Sequence, residues 1–174
     1  MVSKFKEIIG NARRGLPITD FNDHMYRAAA SVIYQDSPSN DLIHLISWAP
    51  ALLFTESSLQ IGVNIWSWFI TARAEMSSQL MTEISEAWNW TILQRMGLFT
   101  NATRGNGPTA TRCWEGSTME NMRPGPNYDS DEPHAVWIEF LSERFLVVRE
   151  TSSLEMRLIW SMLQSAVEDP NNLR

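Results

Sequence analysis

An all-α fold of about seven helices in antiparallel pairs, arranged like a segment of an α-solenoid with one long irregular loop, is predicted by three features of the chain. Apolar residues recur at three- and four-residue spacing over most of the length, and no run alternates strongly enough for a strand. Between Leu42 and Phe99, three such runs are separated only by short polar breaks at Thr55–Ser58 and Met76–Ser78, so they must be neighbours in space. Five of the eight tryptophans fall within that stretch, and with nine methionines they suit irregular packing between helices.

The spacing predicts a first helix over Val2–Arg14, with Phe5, Ile8 and Ile9 on one side and Gly15 and Pro17 ending it. A second, capped by Thr19 or Asp20, runs to about Gln35 with Phe21, Met25, Ala28, Ala29 and Val32 as its stripe. Asp41 is the expected cap of the third. Pro50 falls inside that run, where it removes a backbone donor and crowds the carbonyl four residues back, so a kink or restart is expected near Trp48–Ala51. The fourth, Leu59–Ala74, reads as apolar around nearly its whole circumference and therefore central.

Leu80, Ile84, Trp88, Ile92 and Met96, four residues apart, predict an amphipathic surface helix over Ser78–Met96 that packs on the fourth and is ended by Gly97 in a left-handed conformation. Residues 100–132 are rich in Gly, Pro, Asn, Thr and Ser and predict a flexible loop open to proteolysis. Pro133 then suits the first turn of a sixth helix reaching about Glu150. Ser152 and Glu155 have the spacing of a capping box at the start of the seventh, which ends at Asp169–Pro170. The domain organisation expected is one helical region, with helices in 1–99 and 133–168 around the 100–132 loop.

At 174 residues the chain can bury roughly 70% of its unfolded surface in one core. A net charge of −6 argues against a nucleic-acid partner, which requires a basic face to displace counterions. The single cysteine, Cys113, cannot pair within the chain and fits a reducing compartment, the cytosol. No secretory signal opens the sequence, and the apolar runs Leu42–Phe54 and Leu59–Ile70 are short of the ~20 residues needed to span a bilayer.

Signals for chemistry are weak. His24, His44 and His134 lie far apart with no second ligand type at metal spacing and read as surface or helix-end residues. The glycines near Gly105 lack the Lys and Ser/Thr of a phosphate loop. Asn89-Trp-Thr91 and Asn101-Ala-Thr103 match the glycosylation pattern, which is short and has no meaning in the cytosol. Trp66, Trp68, Trp88 and Trp90 read as core at helical spacing, and Cys113, beside Trp114, has no adjacent base. No catalytic, cofactor-binding or metal-ligating residue is singled out.

An ordered series of short motifs carries more. Ser47-Trp48-Ala49-Pro50, Ser57-Ser58-Leu59-Gln60, Trp66-Ser67-Trp68 leading to Ala72-Arg73, Ala87-Trp88 and Gly97-Leu98-Phe99 are followed by Pro133-His134 and Trp137-Ile138-Glu139-Phe140-Leu141 through Arg144-Phe145. The series resembles the helical region upstream of the catalytic domain in the alpha-type (type III) phosphatidylinositol 4-kinases, over roughly Asp41–Phe99 and Pro133–Val167.

The resemblance implies a parent kinase that phosphorylates the 4-hydroxyl of phosphatidylinositol with ATP and magnesium at the plasma membrane. Its helical solenoid would hold scaffold proteins and cradle the kinase domain. This chain has no glycine-rich nucleotide loop, no catalytic-loop Asp with Asn and no Asp-Phe-Gly, so no catalytic residue is carried over and neither ATP nor magnesium is expected to bind it. The expectation is a non-catalytic fragment of that kinase, such as a truncated gene model would encode, that braces the kinase domain or binds scaffold partners. Its location would be cytoplasmic and peripheral at the plasma membrane. A stand-alone helical scaffold for protein–protein contact is the alternative.

Overall fold

The computed structural model describes Glu7, Gly10 and residues 18–100 and 129–167. The predicted first helix, apart from Glu7 and Gly10, most of the predicted loop and Cys113 lie outside the described residues. Among those described there are six α-helices and no strand: α1 (Ile18–Tyr34), α2 (Asn40–Leu53), α3 (Glu56–Ala72), α4 (Ser77–Leu93), α5 (Glu132–Val148) and α6 (Ser153–Val167). Short 3₁₀ turns at Ala74–Met76 and Gly97–Phe99 flank α4.

Helices two apart in order pack on each other: α1 on α3, α2 on α4, α3 on α5 and α4 on α6. The pairs α1 with α2, α2 with α3, and α5 with α6 also pack. This pattern forms two layers, α1–α3–α5 and α2–α4–α6, with the core between them. Trp66, Trp88, Trp137, Phe21, Phe54, Phe69 and Phe99 are its largest fully buried side chains.

Pro50 does not end α2, which runs unbroken to Leu53. The carbonyl freed by the missing proline N–H belongs to Ile46, and it accepts the indole N–H of Trp66 at 2.9 Å. Gly62 makes the close approach possible. A Cβ there would stand 2.6 Å from Pro50 Cγ and 2.9 Å from its Cβ, so α3 can lie against the proline ring only without a side chain at 62.

The break before α3 is also shorter than predicted. Thr55 is the cap and Ser58 is already in the first turn: Ser58 N–H donates to Thr55 Oγ1 and Thr55 N–H to Ser58 Oγ, each at 3.1 Å. Ser58 Oγ lies 3.1 Å from the Pro50 carbonyl and 2.9 Å from that of Thr55, so its hydroxyl hydrogen serves one of these acceptors. The helix is central, touching α1, α2 and α5, but not buried all round: Gln60, Asn64, Ser67 and Thr71 form an exposed, uncharged polar stripe.

Helix α4 is more enclosed than a single-stripe surface helix. Beyond Leu80, Ile84 and Trp88 it buries Met81, Ala87, Trp90 and Thr91, because α2 covers one side and α6 another, with the contact to α3 the smaller one. It ends in a Schellman motif around Arg95 rather than Gly97: Met96 N–H donates to the Thr91 carbonyl and Arg95 N–H to that of Ile92, with Arg95 at φ 54°. Gly97 is left-handed too, at φ 51°, but opens the following 3₁₀ turn. At α2 the cap is Ser39 in place of Asp41.

Candidate functional site

Several buried polar side chains fasten one helix to another, and the most heavily bonded gather at two joints between the α5–α6 hairpin and the rest of the array. The first is built on His134, in the first turn of α5 after Pro133. The sequence suggests a surface or helix-end position; it is at a helix end but wholly buried, because the turn that holds it inserts between α4 and the Gly97–Phe99 turn. The rings of Phe54, Trp88 and Phe99 meet its imidazole edge-on at centroid distances of 4.9, 5.0 and 5.1 Å.

Leu98 N–H donates to His134 Nδ1 at 3.2 Å, which requires Nδ1 to be unprotonated. The proton therefore sits on Nε2, which donates to Thr91 Oγ1 at 3.0 Å, and Thr91 passes its own hydrogen to the Trp88 carbonyl at 2.7 Å. Burial among aromatic rings disfavours the imidazolium and pushes the pKa down to about 3. Gly97 is obligatory beside it, since a Cβ there would overlap Nδ1.

The second joint is the buried carboxylate of Glu155 on α6. Oε2 accepts from Arg144 Nε and Nη2 at 3.2 and 2.8 Å, while Oε1 accepts from Ser77 and Ser78 Oγ at 2.5 and 3.2 Å. One side chain thus ties α6 to α5 and to the N-terminal turn of α4, where the helix dipole also favours negative charge. Only half of the predicted capping box forms: Glu155 N–H donates to Ser152 Oγ at 3.4 Å, and the carboxylate turns inward. Trp88 Nε1 adds a bond to Ser165 Oγ at 2.9 Å.

The other candidates are dispersed. His24 Nδ1 pairs with the Asp20 carbonyl in its own helix, and His44 Nδ1 with Glu83 Oε2 at 2.7 Å, where Trp48 Nε1 also donates. Trp66, Trp88 and Trp90 are buried as predicted, and Trp68 is half-buried against Tyr26. Among the described residues no three His, Cys, Asp or Glu side chains converge as a metal site. A cavity of about 420 Å³ between the α2–α3 turn and the start of α5 is lined by Phe54, Thr55, Glu56, Asp129, Ser130, Glu132 and Pro133. Asn89 and Thr91 lie in the C-terminal part of α4, with Thr91 buried.

Sequence reasoning missed both joints. Glu155 shows a helix-start spacing that has a local explanation, and its partners Ser77 and Arg144 are remote from it in sequence; a histidine directly after a first-turn proline carries no burial signal of its own.

A layered array of packed helices whose buried polar groups join helix to helix is, as a class, an all-α module. Comparison with known proteins makes the class specific. The chain belongs to the PI4-kinase N-terminal region family, which it matches over residues 1–174. It is 31% identical over 137 residues to phosphatidylinositol 4-kinase alpha 1 of Arabidopsis thaliana, covering 74% of this chain and 6% of that protein. It is 32% identical over 91 residues to phosphatidylinositol 4-kinase STT4 of Saccharomyces cerevisiae, covering 52% of this chain and 5% of that protein. The chain thus spans a small fraction of the curated relatives it matches. No solved structure matches it.

Proposed function

We propose that this chain is a non-catalytic helical segment of a phosphatidylinositol 4-kinase and that it braces the kinase domain or holds scaffold partners. The parent enzyme would carry ATP and magnesium and phosphorylate the 4-hydroxyl of phosphatidylinositol, and the segment would sit with it in the cytoplasm, peripheral at the plasma membrane. Family membership supports the first half of this reading. The observation that supports a bracing or binding role is the last helix pair, which exposes Leu146, Val147, Leu154, Trp160 and Val167, with Trp160 59% exposed. A tryptophan left that open is characteristic of a surface made to meet another protein. No helix among the described residues is long and apolar enough to cross a membrane.

The test is retention of a separately produced phosphatidylinositol 4-kinase catalytic region on the immobilised chain. Retention that falls at least tenfold with Trp160→Glu is expected. No retention by the wild-type chain would favour the stand-alone scaffold. In parallel, radiolabel transfer from ATP to phosphatidylinositol by the purified chain should not exceed a no-protein blank, and transfer above it would overturn the non-catalytic reading.

A further inference from the structure

We propose that His134 and Glu155 together form a latch that docks the α5–α6 hairpin on the α1–α4 array, and that protonation of His134 releases it on acidification. The latch belongs to the chain's own fold and does not depend on which partner the exposed face meets. Its two halves sit at different points of the hairpin, His134 in the first turn of α5 and Glu155 in the first turn of α6.

Each half works in one protonation state. His134 must be neutral at Nδ1 to accept the Leu98 N–H, and Glu155 must be a carboxylate to accept two N–H bonds from Arg144 and two hydroxyl bonds. His134 faces Phe54 at the end of α2, Trp88 and Thr91 of α4, Leu98 and Phe99 of the 3₁₀ turn, and Trp137 of α5, and none of these carries charge to stabilise an imidazolium. Those facing Glu155 are Arg144 from α5 and Ser77 and Ser78 from α4.

The direction follows from linkage. The docked imidazole resists protonation down to about pH 3, whereas the released one protonates at its ordinary value near 6.5. Docking is therefore at full strength above pH 6.5 and weakens as pH falls through the window between those values. One proton bound only by the released form raises the opening constant about tenfold per pH unit.

Hydrogen exchange of the whole chain between pH 7 and 4.5, corrected for intrinsic exchange, reads this directly. Amides of α5 and α6 should open about tenfold more per unit below pH 6.5, while those of α2 and α3 change much less. His134→Asn keeps an acceptor toward Leu98 without titrating and should flatten that slope. Should this variant fail to fold, Glu155→Gln gives an independent reading: the hairpin amides alone should open at least tenfold more at pH 7. Long-range proton–nitrogen spectra should show His134 as the neutral Nε2–H form in the docked wild type. The latch is refuted by His134 titrating near 6.5 with the hairpin still protected, by all helices losing protection at one pH, or by a pH-independent hairpin.

Discussion

Gly62 and Gly97 occupy positions where a single methyl group meets something that cannot move aside. At Gly62 the obstacle is the rigid ring of Pro50, and at Gly97 it is an imidazole held by three aromatic rings and two hydrogen bonds. Gly62→Ala should therefore cost about 1 to 3 kcal/mol through overpacking, despite the better helix propensity of alanine. Gly97→Ala adds a left-handed backbone penalty of about 1 to 2 kcal/mol and should be the worse of the two. Urea midpoints for both variants against wild type check the order. A gain in stability from Gly62→Ala would mean that the two helices can separate freely at that point. Neither constraint was legible in the sequence, because a glycine's neighbour is set by helix packing: Pro50 comes from the preceding helix and His134 from beyond residues 101–128.

Among the elements, α4 shows how far helical periodicity reaches and where it stops. Its stripe of Leu80, Ile84 and Trp88 was readable because burial on one face leaves a period in the sequence. The second buried face was not, since Met81, Ala87, Trp90 and Thr91 are mixed in size and polarity and blur that period. Trp88 sits where the faces meet, against Phe99, His134 and Trp137, with its N–H on Ser165. Trp88→Ala should cost on the order of 3 to 5 kcal/mol, and Ser165→Ala about 1 kcal/mol for the indole N–H left without its acceptor. Circular dichroism followed through urea unfolding measures both, and equal midpoints for wild type and Trp88→Ala would show that the ring cluster adds nothing to the fold. The continuous α2 was equally hidden, because the acceptor left by Pro50 is satisfied by Trp66 from the next helix.

At the scale of the whole molecule, all-α class, helix order and family were legible, whereas the joints that hold the last pair in place were not: periodicity records which face is buried and says nothing of which remote partner satisfies a buried polar atom. The hairpin meets the array through the α3–α5 and α4–α6 packing and through His134, Glu155 and Trp88, yet it is joined covalently to α4 only by way of residues 101–128. In energetic terms the last two helices are a tethered ligand, held at an effective concentration set by that tether. Severing it turns folding into a second-order reaction. Fragments 1–100 and 129–174 made separately should therefore recombine into the helical array on mixing, with a midpoint that shifts with concentration.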